Sequence, residues 1–283
     1  MNLKTLALSA ATLGAVMSTT AAQAQTVTVM GSTALGPLVK RAAEMYMKSH
    51  PGVQIAISGG GSMTGLNQIA AGNCTIGISD VYATDDQQKT GIQNHDIVIE
   101  PFTLVVNPSV SVRNLSAQQA EALFTGSISN WNQVGGAGMK VIRINRPESS
   151  GTRAVQQKTV LNGKPFSSDQ LIMDSTGAVL TAATTTKGAI AFVELDFAEK
   201  NKGKIEAVSY NGAFCTPANV KAGKYPLFSY GHAYTNPAKT DAKTQAVAED
   251  FLKFILSQSF QDEVVPKAGY MPMALAAHLK TKL

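Results

Sequence analysis

The sequence predicts an α/β protein, a mainly parallel sheet flanked by helices. Three observations predict it. Apolar runs of strand length alternate with stretches of helical period from Thr26 onward, and the turns between them are rich in glycine. The composition, 44% hydrophobic and 15% charged over 283 residues, supplies enough apolar surface for a large core and excludes whole-chain disorder.

The elements follow in order. Residues 1–24 read as a signal peptide: Lys4 gives a positive start, residues 6–16 are mostly apolar but too short to span a bilayer, and Ala22-Gln23-Ala24 is a small-residue cleavage pattern. The mature chain is then expected to begin at Gln25. No cysteine stands directly after the cleavage point, so no lipid or other membrane anchor is expected, and no later stretch reaches the roughly 18 apolar residues of a spanning helix. The product is expected in the periplasm.

Residues 26–30 (TVTVM) read as a strand, and Leu35, Leu38, Val39, Ala42 and Tyr46 recur at helical spacing until Pro51-Gly52. Val53, Ile55 and Ile57 alternate as a second strand, Gly59-Gly60-Gly61-Ser62 breaks the chain, and Leu66, Ile69 and Ala70 mark a second helix. Residues 75–79 form a third strand ending at Asp80. This strand–loop–helix repetition is the pattern of a parallel sheet. Further strands are expected at 102–106, 139–145, 189–193 and 227–234. Ser116 starts one helix, another follows residue 153, and an amphipathic helix at 246–256 closes the chain. No linker divides the sequence. Two lobes, where present, are bridged by strands near residues 105 and 227.

Charge and cysteines narrow the function. The 24 basic and 19 acidic side chains leave a modest, dispersed positive excess. With no basic block, nucleic-acid binding is disfavoured, while a small anionic ligand is suited. Export permits a disulfide, but spacing alone does not show that Cys74 and Cys215 meet. Two cysteines and four scattered histidines make no metal cluster.

Four segments share one kind of position, the end of a strand: Gly31-Ser32-Thr33-Ala34, Gly61-Ser62-Met63-Thr64, Asp80, and 146–153 (RPESSGTR). In open α/β sheets ligands bind at carboxyl ends of strands, and helix N-termini offer free N–H groups. Hydroxyls add neutral donors, and Arg146 adds a planar fork matched to an oxyanion. Each segment alone also reads as a cap or turn. Their recurrence at successive strand ends points to a donor-rich cup for a small tetrahedral anion. Asp80 would repel such a ligand unless the ligand carries a proton to donate. Hydrogen phosphate has one near neutral pH and sulfate does not. A nucleotide P-loop and a G-x-S-x-G nucleophile elbow are both absent. Trp131 reads as structural.

The ordered set resembles the periplasmic phosphate-binding proteins that serve ATP-driven phosphate importers. GSTALGPLV (31–39), GGGSMTG (59–65), IGISD (76–80) and RPESSGTR (146–153) are similar to that family's site segments. LFTGSISNWNQVGG (123–136), KGAIAFVE (187–194), YPLFSYGHAYTN (225–236) and the stretch 251–273 extend the resemblance over nearly the whole mature chain. It implies a two-lobed periplasmic-binding-protein fold of type II with a two-strand hinge. Lobe I would comprise 25–105 and 227–283, and lobe II 106–226. It also implies phosphate held in the cleft, hinge closure, docking on the membrane permease of an ABC importer, no cofactor and no catalysis. A monomer is expected.

Carried over by residue, Thr33 and the Ala34 N–H donate from the first loop and Ser62 from the second. Asp80 accepts the phosphate proton. Arg146 pairs with the anion, held by Glu148. Ser150, Gly151 and Thr152 donate from the third loop, with Ser32 and Arg153 supporting the arrangement. Ala34 supplies only a backbone N–H, so one possible hydroxyl contact is missing. The remaining alternatives are another oxyanion (sulfate, molybdate or tungstate) or a phosphatase using Ser62 or Ser150.

Overall fold

A computed structural model describes residues 25–279, and the expected signal peptide lies outside the described residues. The chain opens with β1 (Gln25–Gly31), whose Val27 and Val29 point into the core while their neighbours face outward. Gly31 ends the strand at φ +137°, and a Cβ there would lie 2.1 Å from the Ile78 carbonyl oxygen, so no larger residue fits. Helix α1 (Gly36–Ser49) buries Leu38, Val39, Ala42, Ala43 and Tyr46 on one face, as the spacing predicts. β2 (Val53–Gly60), α2 (Ser62–Ala71) and β3 (Ile76–Ser79) complete the first unit. β1 pairs in parallel with both β2 and β3.

After α3 (Asp85–Gln88) comes β4 (Gln93–Val106), a strand of 14 residues buried without a break from Ile97 to its end. The sequence reading begins this strand at Phe102. Its first half, with Asn94, His95, Asp96, Glu100 and Pro101, carries too many polar and turn residues to read as strand. The second half of the fold contains β5 (Asn114–Leu115), α4 (Ala117–Thr125), β6 (Ile142–Asn145), α5 (Gly151–Thr159) and β7 (Leu171–Ile172). It continues with α6 (Thr176–Thr185), β8 (Ala189–Glu194), α7 (Leu195–Lys200), β9 (Glu206–Tyr210) and α8 (Pro217–Lys221). The chain returns through β10 (Phe228–Thr235), α9 (Ala242–Leu256) and α10 (Gln258–Glu263).

The strands run β2-β1-β3-β10-β4-β8-β6-β7, with β9 and β5 beside β4. The sheet is mixed as a whole, and its pairs within each lobe are parallel wherever neither β4 nor β10 takes part. β10 is antiparallel to β3 and β4, and β4 is antiparallel to β8 and β9. Every antiparallel pair therefore involves one of the two crossing strands, β4 or β10. β4 changes partners in mid-course: Pro101 pairs with Phe228 of β10, and the next residue, Phe102, pairs with Glu194 of β8. The Phe102 N–H reaches the Leu227 carbonyl at 2.9 Å, so both crossings lie side by side. One core gathers around Val27, Leu38, Tyr46 and Phe251, and another around Phe102, Phe124, Trp131 and Tyr225. The two-strand crossing between these cores makes the fold two-lobed. Trp131 is buried and donates to the Gly188 carbonyl. Cys74 and Cys215 are free, buried thiols in separate clusters.

Candidate functional site

The first loop is shaped by Ser32. Its buried Oγ accepts from the N–H groups of Ala34 (3.1 Å) and Leu35 (3.2 Å), doing the work of a cap ahead of α1. The Ala34 N–H expected to face a ligand is thus engaged inside its own turn. Thr33 reaches the other lobe: its Oγ1 accepts the Thr176 N–H at 3.2 Å. In the second loop Ser62 is fully buried, and its Oγ accepts the Asp80 N–H at 3.0 Å, tying the start of α2 to the end of β3. Next to it, the Met63 N–H donates to the Ser149 carbonyl at 2.9 Å.

The third loop supplies the rest. Ser150 caps α5, accepting the Arg153 N–H at 3.3 Å. Gly151 sits against Ser62 and Asp80 so closely that a Cβ would lie 2.2 Å from Ser62 Oγ. The first N–H groups of α5, from Gly151 and Thr152, have no partner within the helix. Thr152 Oγ1 lies 3.0 Å from Asp80 Oδ2 and 2.9 Å from Glu194 Oε1. Residues from all four sequence segments thus meet at one buried place between the lobes.

Arg146 is buried there, donating through Nη1 to Thr176 Oγ1 (3.2 Å) and through Nη2 to the Asp174 carbonyl (3.1 Å). Its expected partner Glu148 is a correction. Among the described residues no ion pair joins the two, and Glu148 is exposed, its charge acting on Arg153 instead. The carboxylates that balance Arg146 are Glu194, Asp80 and Asp174. Arg153 spans the outside of the loop, with Nη1 3.2 Å from the Arg146 carbonyl and its guanidinium 4.3 Å above the Phe166 ring.

Four contributors escaped the sequence reading: Asp174, Thr176, Glu100 and Glu194. Helix α6 has little amphipathic contrast and many threonines, so neither it nor the arginine clamp at its start stood out. Glu194 did carry a signal. It ends the apolar run AIAFV just as Asp80 ends IGIS. Glu100 lies on β4 with neither carboxyl oxygen partnered.

Burial dominates the electrostatics. It raises the Asp80 carboxyl above its ordinary range, opposed by the nearby Ser32 hydroxyl, by the hydrogen bond from Thr152 and by the charges of Arg146 and His232. His232 is itself buried and held by Asp96 at 2.7 Å. Burial and the Asp80 charge push Glu194 up to about 8. Glu100 is driven well above its usual value, by burial first and then by Asp80 and Glu194. Burial lowers Arg146, which the nearby carboxylates oppose. Among the buried, unpartnered atoms of the centre, which include both Glu100 oxygens and Glu194 Oε2, the donor Arg146 Nε and the acceptor Asp80 Oδ1 are complementary. A tetrahedral oxyanion with one proton matches that pair.

The lobes, the crossing strands and a buried cup of strand-end donors define a binding protein of the periplasmic-binding-protein class. The chain matches the family described as PBP superfamily domain over residues 17–259, and it belongs to that superfamily. It is 36% identical over 251 residues to the phosphate-binding protein PstS of Bacillus subtilis (strain 168), covering 87% of this chain and 80% of that protein. Within the superfamily the chain therefore belongs to the phosphate-binding proteins, a family of transport receptors. A second relative, the phosphate-binding protein PstS of Borreliella burgdorferi, is 24% identical over 87% of this chain and 89% of its own length. Among solved structures, one from Clostridium perfringens, assigned as a phosphate ABC transporter substrate-binding protein with phosphate bound, superposes with TM-score 0.80. It is 25% identical, over 87% of this chain and 99% of that one. An ABC-type phosphate transport receptor from Vibrio cholerae shares the fold at TM-score 0.69 and 23% identity, over 87% of this chain and 99% of that one.

Proposed function

We propose that the chain binds inorganic phosphate and delivers it to an ABC-type importer without catalysing a reaction. It works in the periplasm as a monomer without a lipid anchor, once residues 1–24 are removed. Lobes 25–105 with 227–283, and 106–226, close over the anion by bending at the crossing strands.

The observation that carries this reading is the complementary pair of unpartnered atoms, Arg146 Nε and Asp80 Oδ1, in one buried centre ringed by hydroxyls. An unsatisfied buried polar group costs about 1–3 kcal/mol. Hydrogen phosphate satisfies both at once. Its oxygens accept from Arg146, from the Ser62, Ser150 and Thr33 hydroxyls and from the N–H groups of Gly151 and Thr152. Its O–H donates to Asp80. Thr152 acts through its N–H, and its hydroxyl fixes Asp80. Sulfate, molybdate and tungstate bring no proton at neutral pH, so an ionised Asp80 repels them. Family membership and the phosphate-binding relatives support the choice of ligand and of transporter.

Isothermal titration of protein stripped of ligand by unfolding and refolding tests this. Phosphate is expected to bind one to one, and sulfate and molybdate to give no saturable heat at matched concentration. Preferential sulfate or molybdate binding overturns the ligand. Steady release of phosphate from an ester substrate overturns the non-catalytic role.

A further inference from the structure

Thr152 raises a question of proton counting. Its hydroxyl has one proton, yet Oγ1 lies 3.0 Å from Asp80 Oδ2 and 2.9 Å from Glu194 Oε1. A hydroxyl donates one hydrogen bond and accepts others. With both carboxyls ionised, one of the two contacts would set a hydroxyl lone pair against a buried anion. Both contacts are hydrogen bonds only when the trio holds one more proton, on one of the carboxyls.

Geometry assigns that proton. Asp80 has other supports for its charge: its own N–H is fixed by Ser62, and the charges of Arg146 and His232 act on it. Among the described residues Glu194 has no side-chain donor other than Thr152, and its Oε2 is buried and unpartnered. The groups facing Glu194 are mostly acidic or neutral. Asp80 comes from the end of β3, Glu100 from β4 and Tyr270 from the C-terminal segment, against Arg146 as the cation acting on Glu194 among the described residues. His232 on β10 acts on Asp80. Two or three carboxyls share a single guanidinium, so a proton is retained among them.

We propose that Glu194 is a positioning residue for phosphate: as a carboxylic acid it donates from Oε1 to Thr152 Oγ1, which directs the Thr152 proton onto Asp80 and keeps Asp80 an ionised acceptor for the ligand's proton. Loss of that proton removes the arrangement. With Glu194 ionised, Asp80 and Glu194 compete for one hydroxyl proton, and a further negative charge stands behind the anion site. Phosphate binding by the wild-type protein then weakens as Glu194 ionises at alkaline pH. The position of Glu194, directly opposite Phe102 where β4 changes partners, places this proton at the hinge.

The inference rests on the phosphate reading above. Its test is titration of phosphate into wild-type protein, Glu194→Gln and Glu194→Leu, from about pH 6 to about pH 9. Gln keeps a donor to Thr152 and has no proton to lose, whereas Leu keeps bulk and loses the donor. The ratio of wild-type to Glu194→Gln dissociation constants cancels the ligand's own ionisation. It is expected to rise from near unity at about pH 6 to about tenfold or more at about pH 9. Glu194→Leu is expected to bind weakly throughout. A flat ratio overturns the inference, because a merely structural Glu194 would shift thermal stability and leave the pH profile in place. Where the Gln variant does not fold, infrared spectroscopy of wild-type protein carrying 13C-glutamate answers the question. Phosphate added at about pH 9 should increase the band of a protonated glutamate carboxyl. No increase overturns the inference. Wild-type protein that fails to bind phosphate at any pH ends the phosphate reading itself, which the flat ratio does not.

Discussion

At the scale of the residue, two side chains carry opposite halves of recognition. Arg146 is the buried cation, and its guanidinium is fixed by Thr176 and by the Asp174 carbonyl. Arg146→Ala removes the charge that balances Asp80 and Glu194, so phosphate affinity is expected to fall by about 2–5 kcal/mol, read by titration calorimetry. A loss below about 0.5 kcal/mol would place Arg146 outside the anion's reach. Asp80 contributes discrimination more than affinity. Asp80→Asn presents a neutral amide in place of the carboxylate, and the phosphate-over-sulfate ratio is expected to drop by about tenfold or more in competition calorimetry, since one tenfold step is about 1.4 kcal/mol. An unchanged ratio would remove Asp80 from selectivity. Most of these residues are legible in the sequence because their cues are local, a hydroxyl, a glycine or an acid at the end of an apolar run. The expected Arg146–Glu148 pair does not form, because neighbours in sequence across Pro147 face different surroundings once the loop packs.

At the scale of the element, the loop ahead of α2 sets how closely the lobes approach. Gly61 has φ +93°, and a Cβ there would lie 2.5 Å from the Ser149 carbonyl oxygen on the opposite lobe. Gly61→Ala is therefore expected to lose about 1–3 kcal/mol of backbone comfort and to hold the third loop away from Ser62. The expected signature is a larger loss in phosphate affinity than in the thermal stability of ligand-free protein. Equal losses would mean that the loop serves the fold alone. Elements with strong periodicity, such as β1, α1 and α9, are legible from their residues. Helix α6 and the first half of β4 are not. The former lacks contrast between its faces, and the latter opens on four polar residues and holds Glu100 and Pro101, so its strand character rests on pairing with β10.

At the scale of the whole molecule, the acids at the crossing tie stability to pH. Glu100 and Glu194 hold protons in the folded state that they release in the unfolded chain, because burial raises both. The folded state thus binds more protons than the unfolded state between the ordinary glutamate value of 4.5 and about 8. Their contribution is fully present below that window and declines as pH rises through it. The melting temperature of ligand-free protein is expected to fall from about pH 5 to about pH 8.5, and less so in Glu194→Gln. A rise across the same range would show that these carboxyls are ionised in the folded protein. By itself the sequence determined the alternation of strands and helices, the glycine and hydroxyl loops at the strand ends and the lone acid at position 80. All of these follow from periodicity and capping within a few residues. Only the tertiary structure decided which charges share one buried centre. β4 and β10 cross between lobes and bring Glu100 and Glu194 to Asp80 and Arg146, and the balance of buried charge depends on distances through space that no local pattern encodes.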